Sequence, residues 1–363
     1  MDLEFKLFNA SGELPEQREI FRDCFPEAHG TSVDSLEHYK WKFHSYPNSP
    51  TSYEYAVWST APRKMLGYYA ALPFRYAVSG KIFSCGMVCD VMTHSASRGQ
   101  GIFTKIGRYA TDDLKAKDID FTSGYPIRPE VLPGHMKVGW QVAQELPLYL
   151  KVLRCDALLK SSFARYFTSL INMGLRLAAC ATRPRVRATG EICIATESAH
   201  EFLEREDGAY ENLFTRWAAC RPVHLIKDRE FLRWRLSAPG SEYHIISVRV
   251  GAELRAIAIV RCTVLKDIPC LAVLDVMTTK EDPGSTKLLL RAVEDFASGR
   301  SCQAIAAMMS RQSARRALFP RHGFIKTPFV FKLIIKPLSE RAILSRLLEP
   351  STFDVMWIDS DDL

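Results

Sequence analysis

Apolar residues along the chain fall into runs of two kinds. YEYAVWST (53–60), KMLGYYAALPFRYAVSG (64–80) and KIFSCGMVCDVMT (81–93) are alternating or continuous apolar stretches divided by turn residues, which predicts three consecutive strands. GIFTKIGRYATDDLKAK (101–117) then carries its apolar side chains at helical spacing, and DIDFTSGYP (118–126) reads as a further strand. A strand–helix–strand unit of this kind is expected to be parallel with a right-handed crossover. The succession returns later in the chain. YHIISVRV, LRAIAIVRCTVL and CLAVLDVMT precede a helix at STKLLLRAVEDFASG, and QAIAAMMS follows it. Each half is therefore expected to be α+β, a mixed β-sheet with helices on both faces.

Landmarks recur in the same order in both halves. HYKWKF (Trp41), CDVMT (Asp90) and KVGW (Gly139) are matched by FLRWRL (Trp234), LDVMT (Asp275) and RHGF (Gly323). The Asp-to-Gly spacings are 49 and 48 residues, whereas the Trp-to-Asp spacings are 49 and 41, a difference that a longer hairpin in the first copy absorbs. The expectation is a duplicated fold: a first domain over 1–150, a connector over 151–190, a second domain over 191–340 and a tail over 341–363.

Composition narrows the class. With 363 residues, 48 Lys+Arg, 41 Asp+Glu and 47% hydrophobic residues, the chain reads as globular and not as a disordered, collagenous or coiled-coil protein. It lacks an uncharged apolar run of about 18 residues and the features of a signal peptide at its start, so the expected location is cytoplasmic, with the inner membrane face as a variant. The net charge of +7 is concentrated between Lys151 and Gly190, where eight basic residues meet one acidic. That segment reads as a solvated helical connector, or as a basic helix in peripheral contact with an anionic membrane. A nucleic-acid binder would spread its basic residues over a recognition surface with aromatics between them, whereas this segment reads as a basic helix followed by the linker ATRPRVRATG, so no nucleic-acid partner is expected. The ten cysteines form no CxxC pair and are all expected to be buried thiols; Cys85 and Cys89 belong to a strand, and no metal site is expected.

The chemistry-bearing stretch is THSASRGQGIFTKIGRYA. A loop with Gly99 and Gly101 runs from a strand straight into a helix, which makes an anion site from backbone N–H groups and the positive end of the helix dipole. A Walker loop would need Lys-Ser/Thr after its second glycine, and a dinucleotide fingerprint would need Gly where Thr104 stands. The second half reads TKEDPGSTK at this place: Pro283 lacks an N–H, and Glu281 and Asp282 would repel a phosphate.

The strand ending in DVMT, Arg98-Gly99-Gln100-Gly101, the amphipathic helix, the next strand and HMKVGW together resemble the GNAT superfamily of acyl-CoA-dependent N-acyltransferases, strongly over 40–145 and weakly over 230–335. Arg98 and Gly101 match the superfamily signature, while Phe103 stands where Gly or Ala is usual. The resemblance implies acetyl-CoA or another acyl-CoA as cofactor. Its pyrophosphate would lie on the amides of Arg98, Gly99, Gln100, Gly101, Ile102 and Phe103, and its pantetheine along Val91, Met92 and Thr93 like an added strand. It also implies two tandem GNAT-like domains, the second degenerate, with one cofactor site per chain.

Thioester aminolysis needs a polarised carbonyl, a neutral amine and a proton for the thiolate. A backbone N–H at a bulge near Val91 and Met92 serves the first need. Many superfamily members place a tyrosine acid four residues before the closing Gly-aromatic pair; that position is His135 here and Phe319 in the second half. Asp90, His94 and Glu130 are the candidate bases, and Tyr125, Arg128 and Trp140 are expected to line the acceptor pocket. The partner so implied is a small-molecule amine. WKFHSYPNSP, GYYAALPFRY and RGQGIF are similar in order to tandem bacterial enzymes of surface-polysaccharide synthesis, which points to a nucleotide-linked amino sugar. An aminoglycoside-like amine or polyamine would instead require an acidic cleft. From another class, an inactive acyl-CoA-binding or interaction module would hold the thioester without releasing thiol.

Overall fold

Within the two halves, each run predicted as a strand or helix forms that element to within a few residues. The computed structural model describes residues 2–155, 191–205, 207–279, 282–310, 318–349 and 353–361. The first half runs β1 (Leu3–Leu7), α1 (Ala10–Cys24), α2 (Leu36–His44), β2 (Tyr53–Thr60), β3 (Arg63–Val78), β4 (Lys81–Thr93), α3 (Ile102–Ala116), β5 (Phe121–Gly124), α4 (Leu132–Lys137) and β6 (Gln141–Val152). The second runs β7 (Ile192–Ser198), α5 (Ala199–Glu204), α6 (Ala209–Ala219), β8 (Val223–Leu225), α7 (Arg229–Arg235), β9 (Tyr243–Val250), β10 (Glu253–Leu265), β11 (Ile268–Thr278), α8 (Pro283–Gly299), β12 (Ala304–Met308), α9 (Leu318–Arg321), β13 (Ile325–Pro337) and α10 (Glu340–Ile343). Side-chain caps fix several starts: Asn9 accepts from the Ser11 amide, and Ser35 from that of His38.

The two halves share one mixed sheet, ordered β1-β2-β3-β4-β5-β13-β6-β12-β11-β10-β9-β7, with β8 paired to β3. Strands β4 and β5 are parallel, as are β11 and β12. In the middle the halves exchange strands. β13, from the end of the chain, lies between β5 and β6, and β6 lies between β13 and β12. Each exchanged strand carries a lysine into the other half: Lys336 of β13 donates to Thr111 of α3 at 2.8 Å, and Lys151 of β6 pairs with Glu294 of α8. Neither half closes its sheet without the other.

Helices cover both faces. Ile106, Ala110 and Leu114 of α3 pack on Val57, Ala71 and Val88, and Leu289, Leu290 and Val293 of α8 pack on Ile246, Val260 and Val273. The largest core lies on the opposite face, where α1, α2, α6 and α7 meet the sheet. Against it Trp41, half-buried, stacks on Trp234 with ring centroids 5.3 Å apart, each indole N–H donating to the other's carbonyl, at 2.7 and 2.9 Å. The recurring tryptophans thus meet across the join between the halves.

Two expectations need correction. Not every cysteine is buried: Cys193, Cys220 and Cys262 are exposed, on the edge strand β7, at the C-cap of α6 and on the outward-alternating end of β10, whereas Cys85 and Cys89 are buried in β4 as expected. Cys180 lies outside the described residues. The basic segment also begins later than 151, because pairing with β12 holds Lys151 and Val152 in β6. The rest of its expected course, 156–190, lies outside the described residues. No helix among the described residues is long and apolar enough to cross a membrane.

Candidate active site

The loop between β4 and α3 has the geometry of an anion cradle. Gly99 and Gly101 take φ values of 80° and 76°, the left-handed region that other residues rarely adopt, and Gly101 is the N-cap of α3. The first amide of the helix with an internal partner is that of Lys105, bonded to Gly101 O at 3.0 Å. The six amides from Gly99 to Thr104 have no hydrogen-bond partner among the described residues. Six free N–H groups in sequence at the positive end of a 15-residue helix suit a diphosphate. Phe103 does not obstruct this cradle. Its ring packs over Gly134 of α4, where a Cβ would come within 2.6 Å of it. The bulky residue of the signature is thereby matched by a missing side chain one helix away.

Beside the cradle β4 leaves its neighbour. Its ladder with β5 joins Cys85–Val88 to Phe121–Gly124 and stops there, so Val91, Met92 and Thr93 have no strand on that side among the described residues. Opposite β3 the register breaks: Tyr68 faces Met92 and Ala70 faces Cys89, leaving Tyr69 alone against Asp90 and Val91. This is the expected β-bulge, and Asp90 takes φ 47° in it. Among the described residues an unpaired strand edge thus runs from the anion cradle to the bulge.

Around the bulge sits a buried ionic cluster that was not anticipated. Lys42 of α2 places Nζ 2.9 Å from Asp90 Oδ1 and 3.0 Å from Oδ2 of Asp361, in the C-terminal tail. Burial presses the Lys42 pKa down, but Asp90 and Asp361 outweigh it and hold the group above the ordinary lysine value. Nearby, Glu54 accepts from Tyr39 Oη at 2.7 Å, Tyr68 Oη at 2.5 Å and Ser52 Oγ at 2.8 Å. Lys42 carries a sequence signal: it lies on the same face of α2 as Tyr39 and Phe43, a charged residue on an apolar stripe. Asp361 carries none, since only the folded tail brings it to β4.

The remaining expected site residues are dispersed. His135 is buried rather than on a helix surface, its ring edge-on to Phe103 at 4.9 Å and to Trp140 at 5.1 Å, and burial lowers its pKa to about 4. Trp140 belongs to the core beneath α3. Tyr125 follows β5 and is buried. Arg128 ties its loop to the end of α1, donating to Cys24 O at 2.9 Å and pairing with Glu27. Arg98 donates to Thr93 O at 3.4 Å, closing the base of the loop. His94 accepts the Ala96 amide on Nδ1 at 3.2 Å, and Glu130 is exposed.

The matching region of the second half is capped at its helix and bordered by the C-terminal tail. Asp282 caps α8, accepting from the Ser285 amide at 2.8 Å and from its hydroxyl at 2.6 Å, so a carboxylate of the chain sits where an anion would bind. Beyond the end of the β11–β12 ladder lies the tail: Met356 bridges Met309, and the Ser310 amide donates to Val355 O at 2.9 Å. Lys227, fully buried, bonds Asp275 at 2.8 Å and the tail's Asp359 at 3.2 Å. Phe319 is buried against Tyr149 and Phe324.

Anion cradle, parted strands and bulge together form one candidate site. Residues 9–143 match the acetyltransferase (GNAT) domain family, and acyl-CoA is the donor that family uses. The fold of the whole chain is similar to three solved structures, each 12% identical in sequence. A probable N-acyltransferase from Enterococcus faecalis matches with a TM-score of 0.68, over 95% of this chain and 75% of that one. GCN5-related N-acetyltransferases from Anabaena variabilis and Kribbella flavida match with TM-scores of 0.66 and 0.62, over 94% of this chain in both cases and 74% and 72% of theirs. No curated protein matches the chain.

Proposed function

We propose that the chain is an N-acyltransferase that moves an acetyl or short hydroxyacyl group from acyl-CoA to a primary amine by direct attack on the thioester, the acceptor being the amino group of a nucleotide-linked amino sugar. The observation that carries this reading is the run of six unpartnered amides from Gly99 to Thr104, opening onto an unpaired edge of β4. Those amides would hold the pyrophosphate, and the edge from Val91 to Thr93 the pantetheine, whose thioester supplies the activated acyl group.

The chain contributes charge placement and little proton chemistry. The amide at the bulge polarises the carbonyl as charge grows on its oxygen. His135, held neutral near pH 7, offers a ring N–H as a hydrogen-bond donor to the departing sulfur. Asp90 is committed to Lys42, His94 to capping and Glu130 to solvent. The amine proton therefore leaves to water. The second half acts as a degenerate partner: it donates β13 to the first half's sheet and binds no cofactor.

A second acceptor reading, a small cationic amine, is favoured by the carboxylates of Glu54, Asp90 and Asp361 near the bulge, against the single cation of Lys42. Calorimetric titration with acetyl-CoA and desulfo-CoA tests the donor site: binding with a stoichiometry of one, lost in Gly101→Asp, is expected. Free-thiol release with a panel of nucleotide-linked amino sugars and polyamines then separates the acceptors. Binding without thiol release to any amine would make the chain an acyl-CoA-binding module.

A further inference from the structure

We propose that Lys42 is a positioning residue for acyl transfer, drawing the Asp90 carboxylate off the strand backbone and holding Asp90 in the left-handed turn that presents the bulge amide of Val91 to the groove. The proposal rests on the N-acyltransferase reading and assigns to that site a residue outside the anion loop and the bulge.

The second half supplies the comparison. Asp275 occupies the corresponding place on β11 and is also bonded by a buried lysine, Lys227. The backbone result is different. Asp275 is not at positive φ, and its Oδ1 accepts from the amide that follows it, Val276, at 2.8 Å. The extra residue in that strand is Leu274, just before the aspartate, because Ile259 faces Asp275 while Val260 faces Val273. In the first half Asp90 and Val91 together face Tyr69, Asp90 takes φ 47°, and no side chain among the described residues accepts from the Val91 amide.

The two lysines reach their aspartates from different elements, and at Asp90 the second carboxylate oxygen accepts from no other described residue. Lys227 comes from the segment between β8 and α7 and takes Asp275 Oδ2, leaving Oδ1 to close on the backbone. Lys42 comes from α2 and takes Asp90 Oδ1, and it is held from its other side by Asp361. A short polar side chain at positive φ tends to fold onto nearby backbone groups. A buried ammonium at 2.9 Å competes with that closure and keeps the carboxylate turned away from the groove. Lys42 touches neither the thioester nor the amine; it acts through Asp90.

The test compares Lys42→Met with Lys42→Met/Asp90→Gly, measuring kcat, the KM for acyl-CoA, calorimetric affinity for acyl-CoA and melting temperature. Lys42→Met is expected to lower kcat by about 100-fold while the KM and affinity for acyl-CoA move by less than about threefold. Glycine takes φ near 47° without strain and has no carboxylate to close on Val91, so the double variant should regain at least about tenfold of the lost kcat. A lysine that only balanced charge would show its rescue in melting temperature, with kcat per folded enzyme unchanged throughout, whereas the positioning role predicts loss and rescue of kcat itself. Wild-type kcat in Lys42→Met, or a double variant no faster than Lys42→Met, would overturn the proposal. Should Lys42→Met fail to fold, Asp90→Gly alone and the double variant decide: they should agree within about threefold in kcat, and a further large drop on losing Lys42 would count against the role. A wild-type protein that binds no acyl-CoA removes the underlying reading as well, a result separable from all of these.

Discussion

Among the described residues the first half leaves a helix terminus without a side-chain cap and a strand edge unpaired, whereas the second caps its helix with Asp282 and packs the chain's own tail beside β11 and the end of β12. Both halves begin from the same plan. Each has a three-stranded antiparallel lead-in, a bulged strand, a helix, a parallel strand and a closing glycine at positive φ, Gly139 at 91° and Gly323 at 83°. Burial and hydrogen bonding favour closure everywhere, because an unpaired backbone group is costly unless water or a ligand meets it. A site is what remains where closure is withheld. The second half indicates what closure looks like when that constraint is absent.

The largest expected effect comes from closing the first half in the same manner. Gly101→Asp puts a carboxylate beside the free amides and forces a side chain into φ 76°, so acyl-CoA affinity should fall by at least about 100-fold. Calorimetry reads this directly. A second equivalent of acyl-CoA bound by the wild type would show that Asp282 and the tail do not close the second half, and would break the comparison at its base.

Stability offers the next contrast. Lys227 is fully buried between Asp275 and Asp359, and burial pushes the Asp359 pKa up to about 6 despite the lysine. Lys227→Met strands two carboxylates in the core and should cost about 3–5 kcal/mol in urea unfolding. Lys42→Met should cost less, since the side chains of its partners Asp90 and Asp361 keep 15% and 22% exposure and can rehydrate. Equal losses would mean that the two clusters serve the same structural purpose.

Much of this was legible in the sequence, and the limit has a physical form. The strands over 53–60, 243–250 and 270–278 and the helix over 102–116 follow from hydrophobic periodicity, a local property. The loop at Gly99 and Gly101 was legible because positive φ and free amides leave a mark in residue type. The Trp41, Asp90 and Gly139 landmarks and their partners were legible as a repeat. The exchange of β6 and β13 was not, since each reads as an ordinary last strand of its own half and only long-range pairing decides which neighbour it takes. Asp361 was hidden for the same reason, lying 319 residues from Lys42 in the chain. His135 was found by spacing, but its burial depends on Phe103 and Trp140 packing against it.

That burial has a consequence in pH. His135, His38 and His224 all have pKa values lowered to about 4, in each case chiefly by desolvation. A folded pKa below the unfolded value of 6.5 means that the unfolded chain binds protons more readily between the two. The stability these groups contribute is complete above pH 6.5 and is lost as pH falls toward 4, with an upper figure of about 3 kcal/mol for each. His135→Phe should lower the slope of the urea-unfolding free energy across this window by about a third, the part of His38 and His224 remaining. An unchanged slope would place His135 in contact with water.

The smallest effect probes the join itself. Trp41 and Trp234 exchange hydrogen bonds as near-symmetric partners, yet their surroundings differ. Trp234 also meets Tyr46, Phe74 and Phe231, and its carbonyl accepts from Ser237 Oγ at 2.9 Å as well as from Trp41. Trp41→Phe removes a donor from a carbonyl that keeps another, and should cost about 1 kcal/mol. Trp234→Phe leaves the Trp41 carbonyl without its indole donor and disturbs more aromatic edges, so it should cost more, about 2 kcal/mol. In a double-mutant cycle the pair should couple by about 0.5–1.5 kcal/mol. Equal single losses would mean that packing around the pair follows the sequence repeat, whereas unequal ones would mean that the halves diverged at their contact as well as at their sites.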